Sequence, residues 1–137
     1  MNKSRSKKIY ALLIFTLVAT IAVLLVFNMG ISAAVSDTGV KVTGFWYSKT
    51  VSFRDIESVN IYTGDLELGE KQSGFGMIGV HRGEYRNDEF GSYTCALNRN
   101  ATSFIVIRKT DGSTYVFNCK KAEHTSEIYR FIKDKVN

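Results

Sequence analysis

The chain has no proline, two cysteines, two histidines and a single tryptophan, and its most informative absence is of charge. From Ile9 to Phe27 there is no charged residue, no glycine and no proline. A surface helix of a soluble domain carries a polar face, and none exists here over about five turns. A helix rising about 1.5 Å per residue needs roughly 20 residues to cross about 30 Å of hydrocarbon, so the run is long enough to span a bilayer. Its polar groups are hydroxyls. Thr16 and Thr20 are able to bond back to the preceding turn, and Tyr10 sits where an interfacial aromatic would. Lys3, Arg5, Lys7 and Lys8 stand before the run and the first charge after it is Asp37, an asymmetry that puts the N-terminus in the cytoplasm and the remainder outside the cell membrane. A domain on the cytoplasmic side is one alternative; a cleaved secretory signal, and hence a secreted domain, is the other, because Ser32-Ala33-Ala34 resembles a cleavage site. Against cleavage, the apolar core exceeds the roughly 7 to 15 residues of a signal h-region. The expected organisation is a basic flank at 1–8, a transmembrane helix at 9–30, a linker at 31–37 and one domain at 38–137.

Net charge is the second shortage. Four of the eighteen Lys and Arg residues precede the span, leaving fourteen bases against thirteen acids. A domain this close to neutral lacks the basic excess that phosphate neutralisation requires, which excludes nucleic acid as a partner. Cysteine and histidine are scarce as well. Cys95 and Cys119 belong to no CxxC pair, and His81 and His124 have no zinc-like spacing to them, so no metal is expected. No serine, cysteine or carboxylate is spaced to complete an acid–base scheme with His81, which reads as a strand-surface residue. No catalytic residue and no cofactor is expected.

What the domain does have is alternation. Gly39 to Gly44 and Lys49 to Phe53 alternate apolar with polar on either side of Phe45-Trp46-Tyr47, which predicts two antiparallel strands and an aromatic corner. Arg54 to Glu57 reads as one turn with Ile56 inward, and Ser58 to Thr63 as a third strand. Gly64 to Gly91 is irregular: charged first, then glycine-rich, becoming strand again from Val80. Gly74-Phe-Gly-Met-Ile-Gly79 matches G-x-G-x-x-G but lacks the βαβ context in which such a loop meets a dinucleotide. Asn100-Ala-Thr102 matches a glycosylation sequon and is equally a plain turn. Ser92 to Leu97, Ser103 to Lys109 and Thr114 to Asn118 predict three strands joined by two hairpins, with Asp111-Gly112 as a strong turn signal. In that arrangement Cys95 and Cys119 lie on strands separated by a third, about 10 Å apart and beyond disulfide reach. Phe104-Ile-Val-Ile107 is apolar on both faces and predicts a central strand. Ile128, Phe131, Ile132 and Val136 recur at helical spacing, which predicts an amphipathic helix over 122–135 packed on the sheet.

The fold class that results is α+β: a transmembrane helix, then six or seven antiparallel strands capped by a C-terminal helix. Val51-Ser-Phe-Arg-Asp-Ile-Glu-Ser-Val59, Ser73-Gly-Phe-Gly76, Gly83-Glu-Tyr-Arg86 and Thr110-Asp-Gly-Ser-Thr-Tyr-Val116, in that order, resemble the bacterial pleckstrin-homology-like domain family found in small membrane proteins. The resemblance implies a barrel-like sheet closed by its helix, working as a binding or scaffold module and not as an enzyme. The first hairpin loop, Phe45 to Lys49, holds one base, so the multiply basic phosphoinositide clamp of classical relatives is missing. The candidates to meet a protein, peptide or lipid partner are Phe45, Trp46, Tyr47 and Phe75, the aromatics of the corner and of the glycine-rich stretch, although a corner cluster of this kind more often plugs the end of a small barrel as core. Assembly of a membrane complex through the span itself, along Ala11, Thr16, Ala19 and Ala22, is the alternative.

Overall fold

The computed structural model describes residues 2–77 and 79–137, with only the backbone for Phe27, Asn28, Phe75 and Met77. Helix α1 (Lys3–Asn28) contains the apolar run and starts before it, so Lys3, Arg5, Lys7 and Lys8 occupy its first turns, exposed. Asn2 caps it by accepting the Ser4 N–H at 3.4 Å. The hydroxyls of Thr16 and Thr20 donate to the carbonyls of Leu12 and Thr16 at 2.9 and 2.8 Å. Their polarity is thereby satisfied within the helix. Over its most apolar stretch the mean hydropathy is 2.8 and no residue is buried by the rest of the chain. By length and composition α1 is able to cross a membrane, a test that a signal sequence also passes.

Nine strands follow among the described residues, in two sheets. β1 (Ser32–Val35), β2 (Gly39–Gly44) and β3 (Tyr47–Ser52) form a three-stranded antiparallel sheet. A 3-10 turn at Phe53–Asp55 leads into the second sheet. It comprises β4 (Ile56–Thr63), β5 (Glu70–Met77), β6 (Val80–Asn87), β7 (Gly91–Asn98), β8 (Ser103–Lys109) and β9 (Thr114–Phe117), in the order β4-β8-β9-β7-β6-β5. Helix α2 (Ala122–Val136) closes the chain. Its Ile128 and Ile132 are buried while Glu123, Glu127, Arg130, Lys133 and Asp134 are exposed.

Period-two alternation sends the side chains of the central strands of the larger sheet to two cores. On one face Ile105, Ile107, Tyr115 and Phe117 meet Val40, Val42 and Val51 of the small sheet and Ile128 and Ile132 of α2. On the other, Phe104, Val106, Val116, Cys95, Leu97, Tyr85 and Tyr93 lie under Leu66, Leu68 and Phe90. β8 is therefore covered on both faces, as its apolar run requires.

The structure corrects several expectations. Residues 32–35, assigned to a linker, form β1, because Ile31 and Ala33 are buried against the core. The stretch at 64–91 contains a complete hairpin, β5–β6, and so strand count rises to nine from the six or seven expected. β7 and β8 are not a hairpin. β9 lies between them, antiparallel to β8 and parallel to β7, because all four of its residues are buried and the centre of the sheet is where both faces are covered. No third strand therefore separates the strands near the two cysteines. Cys95 stands opposite Val116 on adjacent strands, yet Cys95 and Cys119 belong to the cores on opposite faces, and both are free and buried.

Candidate functional site

The aromatic corner is a two-residue loop, Phe45-Trp46, between paired Gly44 and Tyr47. Trp46 has φ 49°, the one positive value outside glycine among the described residues. A left-handed tryptophan costs on the order of 1–3 kcal/mol and persists where its surroundings hold it. They do. The Arg82 guanidinium donates to the Phe45 carbonyl and lies 5.0 Å above the Tyr47 ring. Phe45 stacks on Trp46 with ring centres 5.4 Å apart and planes 20° from parallel. The Tyr47 hydroxyl meets that of buried Tyr115 at 2.8 Å, and Lys49 Nζ sits 4.5 Å over the Tyr115 ring.

Burial is the main cause that raises the pKa of Tyr47 and of Tyr115, and burial with nearby Lys109 lowers that of Lys49. The loop is braced from below by these contacts. Above that brace Trp46 is 92% exposed, far more than any other large apolar side chain outside α1 among the described residues. The three consecutive aromatics thus divide: Phe45 and Tyr47 are half-buried, and Trp46 stands in solvent. The side chain of Phe75 lies outside the described residues. Its backbone in β5 is paired with Arg82, the residue that braces the corner. Arg82 is a bracing residue that the sequence did not reveal; nothing in an arginine on a strand shows that it reaches across to another sheet.

The corner is joined to the exit of α1. Two residues, Met29 and Gly30, separate the helix end from Ile31, and Ile31 is clamped on both sides by one side chain. Buried Asn98 accepts the Ile31 N–H at 2.8 Å through Oδ1 and donates to the Ile31 carbonyl at 3.0 Å through Nδ2. Asn118 holds Asn98 in turn, its Oδ1 accepting from the Asn98 backbone N–H at 2.8 Å and from Nδ2 at 3.1 Å. A Cβ on Gly30 would fall 2.4 Å from Asn98 Oδ1, so only glycine admits this approach. A Cβ on Gly44 would touch Ile31 Cδ1, which sets the base of the aromatic loop beside the clamp.

Charge divides along the strands. At the end bearing the clamp are Arg82, Arg99, Lys120 and Lys121, together with two acids, Asp65, which lines a cavity with Arg99 and Asn98, and Glu123 in the first turn of α2. At the opposite end an open depression is lined by Glu67, Glu70, Asp88 and Glu89 with Arg86 as its base. Near the clamp a cavity of about 220 Å3 is lined by His81, Asp65, Leu66, Arg99 and Asn98 among others. His81 has its pKa lowered there, by partial burial first and by Arg99 and Lys71 second. Among the described residues no three His, Cys, Asp or Glu side chains are grouped to hold a metal ion. Compared with family models, curated proteins and solved structures, the chain matches none.

Proposed function

We propose that the chain is a single-span membrane protein, N-terminus in the cytoplasm and domain outside the cell membrane, whose C-terminal domain is a pleckstrin-homology-like binding or scaffold module. Trp46 carries this reading: one large indole is held in solvent at a strained backbone, with an arginine, a stacked phenylalanine and a tyrosine pair devoted to keeping it there. A solvent-facing tryptophan held at such cost fits a contact residue, since aromatics on rigid supports are enriched among the residues that dominate binding surfaces. Two packed sheets with a C-terminal helix fit the pleckstrin-homology-like reading, and the parallel β7–β9 pair departs from an all-antiparallel plan. The basic residues Lys3, Arg5, Lys7 and Lys8 ahead of α1 support the orientation.

The test places a photoreactive amino acid at position 46 of the full chain in intact membranes, with position 41, on exposed Lys41 of β2, as control. Adducts at 46, to protein or lipid, that are absent at 41 support a contact surface. No adduct of either kind at 46 refutes it.

A further inference from the structure

We propose that the partner of the aromatic corner is the lipid interface of the membrane that α1 crosses: Trp46 rests in its headgroup layer while Lys120, Lys121 and Arg99 lie against anionic headgroups. This rests on the reading of Trp46 as a contact residue and names what it contacts.

Chain length makes the first case. Ile31 is three residues beyond Asn28, so at no more than about 3.6 Å per residue it lies within roughly 11 Å of the end of α1. The headgroup layers add about 5–8 Å to each side of the hydrocarbon. The clamp therefore keeps the clamped end of the domain within a short tether of the boundary. Register makes the second. β1 leaves the helix and β2 returns antiparallel to it, with Ser32 opposite Thr43 and Gly44 against Ile31. The two-residue loop turns about one position further, which by register brings Trp46 near the level of Gly30. An indole at that depth matches the amphipathic layer in which tryptophan is enriched.

Charge makes the third. Lys120 packs against Gly30, its Cε within 2.2 Å of where a Cβ would be, and Lys121 and Arg99 are exposed at the same strand ends. The four carboxylates of the open depression are at the far ends. With four bases against Asp65 and Glu123 at this end, the domain is oriented wherever the leaflet it faces carries anionic headgroups, each base near such a surface being worth roughly fivefold in the seated population.

Trp46 is the sole tryptophan, so its fluorescence reports this position without any substitution. The full-length protein is reconstituted in phosphatidylcholine vesicles with and without phosphatidylglycerol, carrying bromine near the glycerol or deep in the acyl chains. The expected result is quenching at least about twofold stronger by shallow than by deep bromine, with protection from aqueous acrylamide, as for a ring at headgroup level. Adding phosphatidylglycerol strengthens both effects, and Arg99→Glu with Lys121→Glu, both exposed positions, removes that gain. Trp46 open to acrylamide and untouched by either bromolipid overturns the proposal. If position 46 then crosslinks a protein in native membranes, the contact reading stands and lipid seating alone has failed; if it crosslinks nothing, both have failed.

Discussion

Replacing Asn98 with alanine tests whether the clamp at the helix exit holds the domain together. The side chain is 7% exposed and satisfies both backbone groups of Ile31, which no other described residue bonds. Its removal strands a buried N–H and a buried carbonyl, each costing about 1–3 kcal/mol. Because Gly30 beside them is partly open, water relieves some of this, and a net loss of about 2–4 kcal/mol is expected. For a domain of this size that is a fall in unfolding midpoint on the order of 10–20 °C. The assay is thermal unfolding of the full chain in micelles, followed by tyrosine near-ultraviolet dichroism. Trp46 fluorescence is a poor probe, since the ring lies outside the protein core and reports its surroundings more than the packing of the domain. Hydrogen exchange at the Ile31 amide gives the local readout and should accelerate in the variant. Asn98→Asp, which turns a second acceptor toward the Ile31 carbonyl, should cost at least as much. A loss below about 0.5 kcal/mol, the size of an ordinary surface substitution, with Ile31 exchange unchanged, would refute the clamp.

The tyrosine pair should respond asymmetrically. Tyr47→Phe leaves the Tyr115 hydroxyl buried without a partner and should cost about 1–3 kcal/mol, whereas Tyr115→Phe leaves half-buried Tyr47 able to turn to water and should cost under about 1 kcal/mol; equal losses in denaturant titrations would contradict the assigned burial. Burial pushes the Cys95 thiol up to about 12 from an ordinary 9.0. Between those values the native state holds a proton that the unfolded chain has released, so stability is flat up to about pH 9 and falls as pH rises toward 12. Tyr85 and Tyr93 shift the same way, and Cys95→Ser should make the fall shallower. Alkylation of native protein at mildly alkaline pH should leave Cys95 and Cys119 unmodified until the domain unfolds. Gly74 and Gly83 face each other across β5–β6 with φ 131° and 132°, and a Cβ on either would lie 2.3 Å from a carbonyl oxygen of the facing strand. Gly74→Ala or Gly83→Ala should therefore open that hairpin at a cost of about 1–3 kcal/mol, seen as faster exchange in β5 with α2 unaffected.

Elements with strong local signals were legible. The uncharged run is α1, the helical spacing of Ile128 and Ile132 is α2, and Asp111-Gly112 closes β8–β9, with the Ser113 N–H and hydroxyl both bonded to Asp111 Oδ1 at 2.8 and 2.6 Å. β5 was not legible because its described side chains face solvent, so no alternation was selected in it. β1 was not, because Ser32-Ala-Ala-Val is too short and small to stand out from a link. The insertion of β9 between β7 and β8 defeated the rule that chain neighbours pair.

The residues alone determine where charge is missing, and with it a helix able to cross a bilayer, a near-neutral domain behind it and an amphipathic helix at its end. Those are properties of consecutive side chains and their spacing. Which of three adjacent aromatics faces water, and that it does so beside the helix exit, were decided only when the sheets packed. Arg82 reaches Phe45 from the other sheet and Asn98 reaches Ile31 from β7, and contacts between residues so distant in the chain leave no local pattern to read.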